Sequence, residues 1–201
     1  MDWIAALANE AKTGAILRIR PIASKYGLSP SAVSKAFKRQ EKSGLLEPLA
    51  DGVYLNKLTA GYTARDLVNE LRPDSYISLD TALAEWGLST QSPVALTCVS
   101  TSNARTIRSE SVHITYRKIK TDLFWGFLEK KTRYTTYKIA EPEKALLDWV
   151  YFHLQDGLPV PLDEIQFRKL DQPKLLEYAK KYPSTVLKAL LLPMLEHRAA
   201  Q

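Results

Sequence analysis

The sequence has little of the chemistry on which many enzymes depend. It contains one cysteine and three histidines in 201 residues. One cysteine excludes an internal disulfide, and the three histidines are too far apart in sequence to suggest a zinc site. There is no glycine-rich phosphate-binding loop, and no serine or cysteine lies in a nucleophile-elbow motif. We therefore expect no metal, no cofactor and no enzymatic activity.

Long apolar segments are also absent. No apolar run approaches the roughly 20 residues that cross a bilayer, and the residues after Met1 lack the basic and apolar regions of a signal peptide. These features predict a cytoplasmic protein without a membrane partner. At 201 residues, of which 45% are hydrophobic and 25% charged, the chain is long enough for one or two packed domains.

One segment, Ile22–Lys42, has the residue spacing of a helix-turn-helix. Ala23 supplies the small side chain that is needed where two helices cross closely, and Gly27 supplies a left-handed turn four positions later. Ser29 and Pro30 form an N-cap and first-turn pair, which predicts that the second helix begins there. The spacing therefore predicts a recognition helix for the major groove of duplex DNA.

This predicted helix, Pro30–Lys42, has an apolar face and a cationic face at helical spacing. The outward positions are small and polar or cationic: Ser31, Ser34, Lys35, Lys38, Arg39 and Lys42. The first four of these are candidates for contacts with base edges, and the last two are candidates for phosphate contacts. The alternative interpretation is an ordinary solvated amphipathic helix.

A hairpin is predicted directly after this helix. Two short strand-like runs between Gly44 and Leu55 meet at Asp51-Gly52, which is a tight-turn signal. A hairpin in this position is typical of the wing of a winged helix-turn-helix. We expect the part of the wing around Asp51–Tyr54, including Tyr54 itself, to contact phosphates.

Two segments upstream complete the predicted domain. An apolar stripe that includes Trp3 and Leu7 predicts a leading helix. The alternating run Ala15–Arg20 predicts a third strand that pairs with the wing, and it adds Arg18 and Arg20 to the candidate phosphate contacts.

The charge distribution agrees with this placement. Between Lys12 and Lys42 there are eight cations and a single acidic residue, Glu41, whereas the whole chain has a formal net charge of +6. A concentration of positive charge in one segment is typical of a surface that binds phosphates.

After a hinge predicted at residues 57–62, the pattern indicates helices at 63–71, 79–86 and 141–154, and strands at 76–78, 94–100, 112–118, 123–128 and 133–140. Further helices are predicted at 162–168, 173–182 and 185–197, with a kink at Pro193. The predicted fold class is therefore α+β. An N-terminal winged helix-turn-helix domain (1–57) precedes a mixed α+β C-terminal domain with a helical tail (58–201).

Two stretches of the second domain, Tyr76–Leu88 and Lys138–Asp148, together with the strands between them, resemble the AbiEi antitoxins of bacterial abortive-infection toxin–antitoxin systems. The most specific part is Ala140–Asp148, which has the pattern Ala-x-Pro-Glu-Lys-Ala-Leu-Leu-Asp. The resemblance covers roughly residues 12–157 and includes the predicted winged helix.

The resemblance implies a two-domain regulator of a type IV toxin–antitoxin system. In such proteins the winged helix represses the operon's own promoter, and the C-terminal domain contributes to countering a nucleotidyltransferase-type toxin. We therefore expect a sequence-specific transcriptional autorepressor with two partners. One is operator DNA, expected as repeats in the promoter of the chain's own gene, and the other is a nucleotidyltransferase-type toxin.

A second basic cluster with interleaved aromatic residues lies in the predicted C-terminal domain. Its candidate members are Arg105, Arg108, Arg117, Lys118, Lys120, Lys130, Lys131 and Arg133. Such a mixture suits a second contact with DNA, or with RNA or an acidic protein. A solvated sheet face with inward-facing aromatic residues is the alternative interpretation.

Two other classes of protein remain open at this level. A nucleic-acid-processing enzyme, namely a metal-dependent nuclease targeted by the winged helix, would need clustered carboxylates, and Asp74 with Glu129 is the nearest candidate. A solvated turn explains Glu129 equally well. The third class is a protein-interaction module whose winged helix binds no DNA.

Overall fold

The computed structural model describes residues 1–190, and the chain has a mixed α+β architecture. It forms two compact units. Unit 1 consists of Met1–Pro73, Thr106–Ile114 and Lys131–Tyr137, and unit 2 consists of Asp74–Arg105, Thr115–Lys130 and the chain from Lys138 onward. Unit 1 therefore extends beyond the boundary predicted at residue 57, and it includes two segments that are distant in sequence.

The elements of unit 1 follow the order helix, strand, two helices, hairpin and helix. They are α1 (Trp3–Glu10), β1 (Ile16–Arg18), α2 (Ile19–Tyr26), α3 (Pro30–Lys42), β2 (Leu46–Ala50), β3 (Val53–Asn56) and α4 (Ala64–Leu71). The predicted strand at 15–20 is shorter than expected, because the chain enters α2 already at Ile19.

The first sheet is antiparallel and has the strand order β1-β3-β2. Leu17 lies opposite Tyr54, so the predicted pairing of the upstream strand with the hairpin is confirmed. The apolar sides of α1, α2 and α3 pack with this sheet around Phe37. The Phe37 ring meets Trp3 and Tyr54 edge-on, with centroid distances of 5.7 and 5.2 Å. Edge-on contacts of this kind add to the hydrophobic stabilisation of a core.

The remaining elements begin with β4 (Ser75–Ile77), α5 (Leu79–Glu85), β5 (Leu96–Ser100), β6 (Arg105–Arg108) and β7 (His113–Lys118). They continue with β8 (Phe127–Lys131), β9 (Thr136–Ala140), α6 (Pro142–Gln155), α7 (Gln172–Ala179) and a helix over 184–190, α8. The six strands form one sheet in the order β6-β7-β5-β4-β9-β8. The sheet is mixed, since β4 pairs antiparallel with β5 and parallel with β9.

Two predicted elements of this region differ from the structure, and one strand was not predicted. The strand expected at 123–128 begins only at Phe127, because Thr121–Leu123 form a 3₁₀ turn and Gly126 has a φ of +71°. The helix expected at 162–168 is instead a pair of 3₁₀ turns, Leu162–Glu164 and Phe167–Lys169, separated by Ile165 and Gln166. Strand β6 was not predicted. The predicted kink at Pro193 lies outside the described residues.

Candidate nucleic-acid interface

Helix α3 begins at a capped turn and presents two different faces. The Ser29 hydroxyl accepts a hydrogen bond from the Ala32 amide at 3.2 Å, and Pro30 occupies the first turn. Val33 and Phe37 are completely buried on the inner face. On the outer face Ser31, Lys35, Lys38, Arg39 and Lys42 are exposed, and Ser34 is half-buried. The predicted division of the helix into two faces is therefore confirmed.

The turn before α3 sets its angle to α2. Gly27 has φ +64° and ψ +33°, a left-handed conformation that favours glycine. The Leu28 amide donates to the Ala23 carbonyl at 2.9 Å and closes the end of α2. Ala23 is 2% exposed and belongs to the same core cluster as Val33 and Phe37, so its small side chain allows the two helices to approach closely.

The cations on the outer face of α3 are unengaged. Within residues 1–190, no hydrogen bond or ion pair involves the side chains of Lys35, Lys38, Arg39 or Lys42, and all four side chains are exposed. Cations that stabilise a fold normally contact a carboxylate or a carbonyl group, as Lys25 does with Glu10 at 2.6 Å. These four side chains are therefore available to an external anion.

The net positive charge of the chain lies on unit 1. The segments of unit 1 contain fourteen Lys and Arg and eight Asp and Glu, whereas those of unit 2 contain fourteen of each kind. The formal net charge of +6 therefore belongs to the unit that contains α3. An uneven distribution of this kind directs a polyanion to one part of a protein.

Arg18 and Arg20 lie near the start of α2 and differ in availability. The Arg18 guanidinium donates to the carbonyl of Glu70 in the last turn of α4, which ties Arg18 to its own unit. Arg20 is exposed. Both residues line an open groove of about 440 Å³ that also borders Pro30 at the start of α3 and Gly52 at the hairpin turn.

The hairpin β2–β3 lacks the phosphate-binding side chains that were predicted for it. Tyr54 is 7% exposed and its ring packs against Phe37, so the predicted phosphate contact by Tyr54 is corrected to a core position. Alternation along β3 turns Tyr54 towards the helices. Between Leu46 and Asn56 the charged residues are Glu47 and Asp51, both acidic. The expected phosphate contact around Asp51 is therefore unfavourable, since its exposed carboxylate repels phosphate.

A brace between α1 and α2 supports the helix pair. Glu10 accepts hydrogen bonds from the Lys25 ammonium at 2.6 Å and the Tyr26 hydroxyl at 2.7 Å. Burial raises the pKa of Glu10, but these two hydrogen bonds outweigh it and keep the pKa below its usual value. Glu10 and Lys25 thus neutralise each other, and Lys25 is not part of the unengaged cationic face.

The candidate second basic surface does not form one free patch. Three of its side chains are engaged within unit 2. Arg117 makes hydrogen bonds of 2.6 and 2.7 Å to Asp156 and lowers the pKa of that carboxyl. Lys118 donates to Asn103 at 3.0 Å, and Lys130 donates to Glu85 at 2.8 Å. Such contacts are typical of a solvated protein surface.

The eight cations of this candidate surface are also divided between the units. Unit 2 contains Arg105, Arg117, Lys118, Lys120 and Lys130, and unit 1 contains Arg108, Lys131 and Arg133. The solvated-surface interpretation is therefore favoured for the three that are engaged.

The two carboxylates considered as metal ligands of a nuclease, Asp74 and Glu129, do not form a metal site. One oxygen of Asp74 accepts hydrogen bonds from the hydroxyls of Ser100, Thr101 and Ser102 at 3.0, 3.0 and 2.5 Å. Burial raises the pKa of Asp74, but these bonds more than compensate and lower it. Glu129 is exposed on β8. Among the described residues, no three His, Cys, Asp or Glu side chains are grouped so that they could hold a metal ion.

A buried polar cluster in unit 2 was not predicted. The Lys144 ammonium donates to Asp148 at 2.5 Å, to the Tyr182 hydroxyl at 2.6 Å and to the Tyr76 hydroxyl at 2.8 Å. Asp148 also accepts from Ser78, Tyr76 and Tyr182 at 2.8, 2.9 and 2.6 Å. Lys144 and Asp148 are completely buried. Their i, i+4 spacing inside an apolar helix was the sequence signal that could have revealed the pair.

The electrostatics of this cluster follow from its burial. Burial lowers the pKa of Lys144, although the Asp148 carboxylate acts in the opposite direction. Burial and the negative charge of Asp148 raise the pKa of Tyr76 and of Tyr182 well above the usual value. Both phenols therefore stay protonated and act as hydrogen-bond donors to Asp148.

Comparison with known proteins adds no assignment. No protein-family model matches this chain, and no curated protein matches it. Within the described residues, none of the helices has the length and apolar character needed to cross a membrane.

Proposed function

We propose that unit 1 is a winged helix-turn-helix module that binds duplex DNA with α3 in the major groove. The observation that carries this proposal is the outer face of α3, where four exposed cations have no partner within residues 1–190. The left-handed turn at Gly27, the hairpin after α3 and the concentration of net charge on unit 1 support it.

The positions along α3 divide into two roles. Ser31, Ser34, Lys35 and Lys38 lie on the first three turns, and a recognition helix contacts base edges mainly through its N-terminal residues. Arg39 and Lys42 lie near the C-terminal end, and with Arg20 they form the phosphate contacts. Because Arg18 is tied to Glu70, we assign it a structural role.

Binding to the DNA upstream of the chain's own gene tests this proposal. Three phosphate contacts give a log–log salt slope of roughly −2.7, so the affinity falls about 40-fold between about 50 and about 200 mM salt. Fluorescence anisotropy with the upstream duplex and with a shuffled duplex measures this slope. Equal affinity for the two duplexes contradicts sequence-specific binding, and the lack of binding to either at low salt contradicts DNA binding altogether.

We also propose that the whole chain is a transcriptional autorepressor and the antitoxin of a type IV toxin–antitoxin pair. The resemblance of Ala140–Asp148 and of its surroundings to the AbiEi antitoxins supports this second step. Unit 2 then carries the activity that counters the nucleotidyltransferase-type toxin. No catalytic step by this chain is part of the proposal.

If the chain's operon encodes a nucleotidyltransferase, co-expression of the two proteins tests the antitoxin role, and the absence of such a gene contradicts that role. We expect the wild-type chain to restore growth of cells that produce the toxin. A Lys35→Glu/Lys38→Glu variant should restore growth equally well from a heterologous promoter, because neutralisation resides in unit 2. Continued growth arrest with the wild-type chain present contradicts the antitoxin role and leaves DNA binding unaffected.

A further inference from the structure

The hairpin β2–β3 of unit 1 is held by a segment that is distant in sequence. Glu47 on β2 has a side chain only 8% exposed. It accepts hydrogen bonds from the amide of Ser111 at 2.8 Å and from the Ser111 hydroxyl at 2.6 Å. Ser111 lies in the turn between β6 and β7, within the segment Thr106–Ile114 of unit 1.

A second link joins the same turn to the end of β3. Lys57 follows β3 directly, and its ammonium lies 3.0 Å from Glu110 and 3.8 Å from Glu47. The Lys57 amide donates to the Leu45 carbonyl, just before β2. Both strands of the hairpin are therefore connected to residues 110 and 111, one through Glu47 and the other through Lys57.

The position of β2 explains why such a contact is needed. With the order β1-β3-β2, strand β2 is an edge strand, and its register with β3 shifts between Pro48 and Ala50. Pro48 also lacks an amide donor for the ladder. A short, irregular edge strand is weakly held by its sheet alone.

The chemistry of Glu47 points to positioning rather than to simple packing. Burying a carboxylate is unfavourable unless it is hydrogen-bonded, and an apolar side chain would fill the same space at lower cost. Two directional bonds from one residue orient the carboxylate, and so they orient the strand that carries it.

We propose that Ser111, assisted by Glu110, is a positioning residue for the wing, so that DNA affinity depends on the turn between β6 and β7. This inference rests on the proposed DNA-binding function. Neither residue touches DNA. They act through Glu47 and Lys57 on the hairpin, whose Gly52 carbonyl accepts a hydrogen bond from the Ile19 amide at 3.0 Å. The hairpin makes no favourable DNA contact itself but fixes the start of α2, where Arg20 contacts phosphate.

A Ser111→Ala variant tests the inference, with Ser102→Ala as a matched control. Ser102 bonds Asp74 in unit 2 in the same way, through its amide at 3.1 Å and its hydroxyl at 2.5 Å. We expect Ser111→Ala to weaken binding to the upstream duplex by about tenfold, the scale of one charge-assisted hydrogen bond, and Ser102→Ala to bind like the wild type.

Amide hydrogen exchange supplies a second readout. Exchange in Leu46–Asn56 should accelerate in Ser111→Ala and not in Ser102→Ala, under conditions where both variants are folded. Ser111→Thr, which keeps the hydroxyl, should restore both affinity and protection. If Ser111→Ala fails to fold, the Glu47→Gln variant is used in its place, because it disturbs the same bonds.

The possible outcomes separate the two proposals. If wild-type protein binds no duplex, the proposed function fails and the inference fails with it. If wild-type protein binds and Ser111→Ala binds equally well, only the positioning role is overturned. Weaker DNA binding without faster exchange in the wing overturns it as well, because Ser111 would then act by another route.

Discussion

The double variant Lys35→Glu/Lys38→Glu is expected to lose binding to the upstream duplex at about 150 mM salt. Each side chain is exposed and unengaged within residues 1–190, so the substitutions should leave the fold intact. A good base contact contributes about 1–3 kcal/mol, and a carboxylate in its place adds repulsion from the DNA. The two losses together correspond to at least a hundredfold weaker binding by anisotropy.

Two controls make this result specific. Arg168→Glu/Lys180→Glu replaces two exposed cations of unit 2 and changes the net charge by the same amount as the α3 variant. We expect it to have little effect on DNA affinity. Tyr54→Phe keeps the buried ring beside Phe37 and should bind DNA like the wild type. If the unit 2 variant weakens binding as much as the α3 variant, net charge rather than the outer face of α3 determines affinity.

A second large effect is expected in unit 2, where Lys144→Met should lower the free energy of unfolding by about 3–5 kcal/mol. The substitution leaves the Asp148 carboxylate completely buried without its cation. The three hydroxyls that remain around Asp148 donate hydrogen bonds but carry no compensating charge. Urea unfolding followed by tryptophan fluorescence measures the loss, since the Lys144 ammonium lies 5.1 Å from the Trp125 ring centre.

The matched control is Lys130→Met on β8. Lys130 pairs with Glu85 at 2.8 Å, and the two side chains are 35% and 16% exposed, so water replaces the lost partner and the cost should stay below about 1 kcal/mol. The Lys144→Met/Asp148→Leu variant should lose less than the sum of the two single variants, because both charges are removed together. Equal costs for Lys144→Met and Lys130→Met would show that the buried pair contributes no more than a surface pair.

The local features of α2, α3 and the turn between them were predictable from the sequence. Ser29-Pro30 set the start of α3, and Gly27 set the turn before it. Each of these effects involves residues within one or two turns of each other, where backbone sterics and capping operate. The two faces of α3 followed from helical spacing for the same reason.

The errors arose where contacts distant in sequence decide the outcome. Tyr54 was assigned to a surface, although the register of β3 against β1 turns its ring into the core. For Arg117 and Lys130 the sequence left a basic surface and a solvated face both open, and their partners Asp156 and Glu85, 39 and 45 residues away, favour the solvated face. Spacing along the chain carries no information about such partners.

The amino-acid sequence by itself determined where α3 begins, which side of it is apolar and which cations lie on the other side, because these properties depend on neighbours within a few residues. Only the tertiary structure decided which cations remain unengaged, that Glu47 meets Ser111 and that Lys144 is buried with Asp148 and Tyr182. Tyr182 is 34 residues from Asp148 in sequence, and Ser111 is 64 residues from Glu47, so both pairings depend on packing between distant segments. Such contacts form only when burial of the apolar core brings the segments together.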